Sequence, residues 1–230
     1  MTEKTLVDSE KYLKSGAHIG TRYKSGDMRK YIFKIRKDNL NVMDIQTLDE
    51  RIRASAKFLA QFSPGRIAVV SRRLYGRTPA MTFAQSIGAK EFTGRFVPGT
   101  FTNYTNSKFF EPQVVFVVEP EQDGQAIEEA RKINVPVVAV VSTNNSIRNV
   151  DMAIPANNKG RKSLALVFWL LAREFLKEKK LIEDDSGFTK TVEDFEYKMK
   201  ENEKEEEPQE MRRPIRDRDR DRRGPPRERR

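Results

Sequence analysis

Val114-Val115-Phe116-Val117-Val118 and Pro136-Val137-Val138-Ala139-Val140-Val141 are two unbroken apolar runs, separated by one amphipathic segment. A strand with one wet face alternates polar and apolar residues, so runs like these belong to strands buried on both faces. Between them Ala126, Ile127, Ala130 and Ile133 share one helical stripe, with Glu128, Glu129, Arg131 and Lys132 turned to water. A shorter apolar strand follows at Met152-Ala153-Ile154, and then Leu164-Ala165-Leu166-Val167-Phe168-Trp169-Leu170-Leu171 between Arg161, Lys162 and Arg173. Eight apolar residues are too few to span a bilayer, which needs about 20. The pattern over residues 111–176 predicts two parallel β-α-β crossovers with a core helix lying across the sheet.

The chain has no cysteine, which excludes disulfides, thiolate zinc sites and a cysteine nucleophile. Met1-Thr2-Glu3-Lys4 lacks a basic-then-apolar signal pattern, so the expected location is cytoplasmic. The net charge of +10 points to an anionic partner. Its distribution is uneven: roughly +12 on residues 1–182, roughly −8 on 183–210 and roughly +6 on 211–230. Two regions are therefore expected, an α/β domain over 1–182 and a charged, mostly disordered tail over 183–230. Val192, Phe195 and Met199 have helical spacing inside that tail and allow a short marginal helix. The tail holds so little apolar area that truncation at Ile182 is expected to shift the thermal midpoint by no more than a few degrees.

Towards the N-terminus, residues 3–15 predict a short helix, followed by Gly16-Ala17-His18-Ile19-Gly20. Residues 31–44 alternate on both sides of Lys37-Asp38-Asn39 and predict a β-hairpin. Thr47-Leu48-Asp49-Glu50 has the form of a capping box. Ile67-Ala68-Val69-Val70 is the first parallel strand, and Thr78-Pro79 is a good Ncap–N1 pair for the next helix. Gly94 to Phe110 predicts a long irregular loop whose five aromatics argue against disorder.

Ligands of open parallel sheets meet the carboxyl ends of the strands and the helix N-termini beside them. Two such ends are cationic: Arg72, Arg73 and Arg77 after the first strand, and Lys159, Arg161 and Lys162 before the apolar helix. Each cation there opposes the helix dipole by about 0.3–1 kcal/mol unless an anion is bound. Solvated loop charge is one alternative, and pairing with Glu119, Glu121 or Asp123 at the next strand end is another. Neither G-x-G-x-x-G nor the P-loop pattern is present, and the one histidine, His18, sits between glycines where a packed structural role is expected.

Nucleic acid fits better than catalysis. Arg22, Lys24, Arg29, Lys30, Lys34, Arg36 and Lys37 are interleaved with Tyr23, Tyr31 and Phe33, and Arg95, Asn103, Tyr104, Asn106 and Lys108 repeat the mixture in the long loop. Such side chains neutralise phosphates and contact sugars and unstacked bases. The candidate RNA-binding set is thus Arg22, Lys24, Arg29, Lys30, Arg36, Arg72, Arg73, Arg77, Arg95, Asn103, Lys108, Lys159, Arg161 and Lys162. A nucleotide-dependent enzyme on the same fold is an alternative, as is a free-standing RNA-binding protein that belongs to no larger particle.

Several blocks carry a resemblance. Tyr12-Leu13-Lys14-Ser15-Gly16-Ala17-His18-Ile19-Gly20, Asp27-Met28-Arg29-Lys30-Tyr31-Ile32-Phe33, Gly94-Arg95-Phe96-Val97-Pro98-Gly99-Thr100-Phe101-Thr102-Asn103 and Asn149-Val150-Asp151-Met152-Ala153-Ile154-Pro155 all resemble the small-subunit ribosomal protein two family. Val70-Ser71-Arg72-Arg73 and Asn157-Asn158-Lys159-Gly160-Arg161-Lys162 are similar to its archaeal branch, whose eukaryotic relative is the laminin-receptor-like ribosomal protein. The similarity is collinear over about residues 8–180. It implies a flavodoxin-like three-layer α/β/α domain, to which the N-terminal hairpin and the charged tail are added. It also implies a structural, rRNA-binding role beside other small-subunit proteins, with no catalysis, cofactor, metal, membrane or small-molecule substrate. Bacterial members insert a helical hairpin, for which Ala80–Phe92 leaves no room. The acidic and Arg/Asp tail matches no family pattern.

Overall fold

The computed structural model describes residues 5–182 and 187–198. A short helix α1 (Ser9–Ser15) ends on Gly16, whose φ of 69° closes the last turn. A 3-10 turn at Asp27–Tyr31 leads into the predicted hairpin, β1 (Ile32–Ile35) and β2 (Asn41–Met43), which turns at Asn39 with φ 63°. Helix α2 (Ile45–Leu59) starts three residues before the position its Thr47 box predicts. The Asp44 carboxylate accepts from the Gln46 and Thr47 amides at 3.3 and 3.2 Å, and from the Thr47 hydroxyl at 2.6 Å. An ionised acceptor at the first turn satisfies two orphan donors and suits the dipole, so Asp44 becomes the cap.

Next come β3 (Ile67–Ser71), α3 (Leu74–Ile87), β4 (Lys90–Thr93), β5 (Val114–Val117), α4 (Gly124–Lys132), β6 (Val137–Val141), β7 (Met152–Pro155) and α5 (Arg161–Glu178). The five strands β3–β7 are parallel in the order β4-β3-β5-β6-β7. Counted from the first strand this is 2-1-3-4-5, the flavodoxin-like order. Ile67, Val69, Val114, Phe116, Val138, Val140 and Ile154 face α2, α3 and α5 in one core. Ala68, Val70, Val115, Val117, Ala139, Val141 and Ala153 face α4 and the long loop in the other. Both faces of β3, β5 and β6 are dry, which is why their runs do not alternate, whereas the edge strand β4 is only half-buried.

Helix α3 leads to β4 across Gly88-Ala89 alone, with no inserted hairpin. The link from β4 to β5 crosses the α4 face as an ordered loop instead of a helix. Phe92, Phe96, Phe101 and Phe110 pack ring against ring there, with Phe96 and Phe101 centroids 4.9 Å apart. Buried Glu129 of α4 fastens this loop by accepting from the Gly99 and Phe101 amides at 2.7 and 3.0 Å.

Of the expected tail, residues 183–186 and 199–230 lie outside the described residues, Met199 among them. Phe188 to Phe195 straps across α3 and α5. The Trp169 indole donates to the Lys190 carbonyl at 2.7 Å, Lys190 Nζ donates to Ser86 Oγ at 3.0 Å, and Phe195 is fully buried. The apolar stripe expected as a marginal helix forms a 3-10 turn, Val192–Asp194, capped by the Thr191 and Asp194 side chains. At the other end of the chain, buried Asp49 accepts from the Tyr12 hydroxyl and, at 2.7 Å, from the Leu6 amide. Arg173 Nη2 donates to the Leu6 carbonyl at 3.0 Å.

Candidate nucleic-acid interface

In the 2-1-3-4-5 order a ligand crevice is expected between the carboxyl ends of β3 and β5. A side-chain pair fills it. Arg73 Nε and Nη2 donate to Glu119 Oε2 and Oε1 at 2.6 and 2.9 Å, with the Glu119 side chain 2% exposed and that of Arg73 18%. Asp123 closes the floor, accepting from the Arg72 amide at 2.8 Å and the Glu119 amide at 3.3 Å. Burial pushes the Asp123 carboxyl up to about 7, and the two amide bonds only partly oppose it. The switch point is thus occupied by protein side chains bonded to one another.

The Thr78-Pro79 pair predicts a helix start at Thr78; α3 begins one turn earlier, at Leu74, with Pro79 inside it. The early turn lies close under the strand ends, where a Cβ at Gly76 would meet Ser71 Oγ at 2.5 Å and Val118 Cγ1 at 3.0 Å. Only a residue without a side chain fits there. The three arginines therefore separate. Arg73 is internal, Arg72 is left exposed in a two-residue link, and Arg77 rides on the helix with its guanidinium beside Gly94. Gly94, at φ 90°, turns the chain as β4 ends and sends Arg95 back over the same edge.

The N-terminal segment is docked on this edge too. Thr143, at the end of β6, receives the Thr21 amide on its hydroxyl at 2.8 Å and the Ser25 amide on its carbonyl at 2.8 Å. The Asn157 amide, just past β7, donates to the Ala17 carbonyl at 2.9 Å. Buried Asn41 clamps the intervening loop by donating to the Thr21 and Arg22 carbonyls at 2.6 and 3.2 Å. The 3-10 turn buries Met28 and Tyr31 in the α4-side core, which leaves Arg29 and Lys30 exposed. Arg22, Lys24, Arg29 and Lys30 thus join the strand-end cations. Asn41 was not among the candidates, although an asparagine opening an apolar strand was a visible signal.

At α5, Lys159 and Arg161 are half-buried and Lys162 is exposed. Arg161 stands over the Tyr75 ring at 6.0 Å, so the starts of α3 and α5 are neighbours. The Lys159 and Gly160 amides, which an anion could have used, bond Asn157 Oδ1 at 3.0 and 3.2 Å. The cationic side chains of that site stay open to a ligand, as does the start of α5, which has no side-chain cap. Asn103 spends its side-chain oxygen on the Thr105 amide and hydroxyl at 3.1 and 2.7 Å, while Lys108 stays exposed on the loop. Arg36 lies at the hairpin turn, 3.5 Å from Asp38. Among the described residues no ion pair involves Arg22, Lys24, Arg29, Lys30, Arg72, Arg77, Arg95, Lys108, Lys159, Arg161 or Lys162. An edge this rich in uncompensated cations is suited to a polyanion.

His18 reaches the Tyr12 carbonyl with Nδ1 at 3.4 Å, and its own carbonyl accepts from the Met43 amide at 2.8 Å. Its place is between α1 and the hairpin.

The family model described as Ribosomal protein S2 matches residues 105–177. Small ribosomal subunit protein uS2 of Staphylothermus marinus is 46% identical over 195 residues, covering 85% of this chain and 89% of that protein.

Proposed function

The chain belongs to the ribosomal protein S2 family, in its archaeal form, and on that premise we propose that it is a structural constituent of the small ribosomal subunit. It performs no chemistry: it sits in the ribosome of the cytoplasm and holds rRNA and neighbouring small-subunit proteins in place. The observation that carries the RNA contact is the convergence on one sheet edge of unpaired cations from the N-terminal segment, α3, the loop after β4 and α5, beside a crevice filled by Arg73 and Glu119. The working interface is Arg22, Lys24, Arg29, Lys30, Arg72, Arg77, Arg95, Lys159, Arg161 and Lys162. Lys108 lies on its loop flank, and Arg36 and Asn103 contribute at the periphery. Arg73 acts inside the fold.

The packed domain extends through the Phe195 strap, and the charged tail starts beyond it. Phosphate binding by the edge is tested by measuring rRNA affinity against salt for the wild type and for Arg72→Gln with Arg77→Gln. The slope of log K against log salt should become shallower by about 0.7–0.9 for each phosphate that is no longer neutralised. An unchanged slope and affinity would place the RNA elsewhere.

A further inference from the structure

Beside the filled crevice lies a separate cleft of about 180 Å³, bounded by Arg72 at the end of β3, by Arg95, Phe96 and Pro98 after β4, and by Gln122 and Gln125 at the start of α4. It is smaller than the roughly 300–1,000 Å³ of pockets that enclose a drug-sized molecule. A whole nucleotide is not enclosed either, but a base can enter while its sugar and phosphate stay at the mouth. Its walls differ in chemistry. Arg72 and Arg95 are exposed and make no ion pair among the described residues, and the Arg77 guanidinium lies beside Gly94, next to Arg95 in the chain. Pro98 and the small exposed part of Phe96 form an apolar wall, with Phe96 fixed by its ring contact with Phe101. Gln125 donates to Glu129 at 2.9 Å, which leaves its oxygen as an acceptor, and Gln122 is exposed with both donor and acceptor. Asp123 at the back directs both oxygens to backbone amides.

We infer that this cleft takes a single unstacked nucleotide of the RNA, its phosphate between Arg72 and Arg95 and its base against Pro98 with the glutamines on its edge. Paired, stacked RNA offers protein mainly phosphates and 2′-hydroxyls, whereas a concave pocket with an apolar wall and amide groups suits a base splayed out of a loop or bulge. The inference rests on the rRNA-binding reading and narrows it: at this point of the edge the RNA is unpaired.

Because the chain has no cysteine, Gln122→Cys supplies one thiol for a short aryl-azide crosslinker in assembled small subunits, and Lys24→Cys supplies a second position on the same edge. The Gln122→Cys thiol should label one or two nucleotides that are unpaired in the rRNA. Adding Arg72→Gln and Arg95→Gln should cut that yield by about tenfold or more relative to the Lys24→Cys yield in the same background, the effect of losing charge-assisted hydrogen bonds at the cleft beyond any general weakening of the edge. Labelling of paired nucleotides, or of protein alone, overturns the inference. RNA labelled from Lys24→Cys but not from Gln122→Cys also overturns it and leaves the rRNA-binding edge standing; no RNA labelled from either position overturns both. Titration of the free protein with adenosine and uridine 5′-monophosphates separates the two sources of a nucleotide. Saturable micromolar binding would assign the cleft to a free nucleotide and overturn the RNA assignment.

Discussion

Arg73 and Glu119 meet across the boundary between β3 and β5 with both guanidinium donors on both carboxylate oxygens, at 2.6 and 2.9 Å. The strand order makes this boundary the natural mouth for a nucleotide. The pair converts it into part of the fold. It also splits an apparently uniform Arg72-Arg73 dipeptide into one outward cation and one inward one.

Arg73→Gln should therefore destabilise the free protein by about 3 kcal/mol, because Glu119 would be left as a buried charge without its partner. Arg72→Gln should leave stability unchanged and weaken rRNA binding. Chemical denaturation with filter binding on both variants checks this. Equal effects of the two substitutions on stability would mean that the ion pair contributes nothing to the fold.

Asp123 gives the same region a pH dependence. A carboxyl whose native pKa lies above its unfolded value binds more protons folded than unfolded between the two. Stability then falls as pH rises through that window, from about 4 to about 7. The groups facing it are Glu119, whose charge raises the value, and Arg72, whose charge lowers it. Asp123→Asn should flatten the thermal midpoint between about pH 5 and about pH 8, on either side of the native value, whereas the wild type should lose stability toward the alkaline end. Parallel curves for the two proteins would assign the dependence to other groups.

The sheet was legible because Val114–Val118 and Pro136–Val141 carry apolar residues on both parities, and only a strand between two cores needs that. The position of the cationic edge was legible for the same reason, since the end of each strand could be counted. What the residues could not disclose was pairing at a distance. Glu119 lies 46 residues from Arg73, and nothing local marks it as the partner of that arginine rather than of Arg72 or Arg77. The start of α3 misled because Thr78-Pro79 is a strong local signal. The close packing of Gly76 under Ser71 and Val118, a tertiary fact, overrides it.

The strap from Phe188 to Phe195 was missed for a related reason. Its three apolar side chains, Phe188, Val192 and Phe195, sit in a stretch dominated by charge, yet Phe195 is fully buried and Trp169 holds the Lys190 carbonyl. Phe195→Ala should destabilise by about 3 kcal/mol, roughly 10 °C in a domain of this size. Truncation after Ile182 should cost at least as much, against the few degrees expected from composition, while truncation after Lys198 should leave the midpoint unchanged. Calorimetry of the three proteins decides, and a harmless Ile182 truncation would mean that the strap adds no stability.

The cations of the N-terminal segment depend on one close approach. A Cβ at Gly20 would collide with Thr143 Cγ2 and lie 2.7 Å from Thr143 Oγ1 and 3.0 Å from the Asn41 carbonyl. Thr143 is buried and Asn41 belongs to β2, so neither can step aside. Gly20→Ala must instead push the segment off the end of β6, breaking the Thr21 and Ser25 bonds that place Arg22 and Lys24. The expected result is a lower midpoint together with weaker rRNA binding, although no charge has changed. Thr143→Ser removes the colliding methyl and keeps the hydroxyl that accepts from Thr21. Combined with Gly20→Ala it should recover part of both losses, while alone it should do little. Rescue of stability without rescue of RNA binding would show that Arg22 and Lys24 do not act from this docked position.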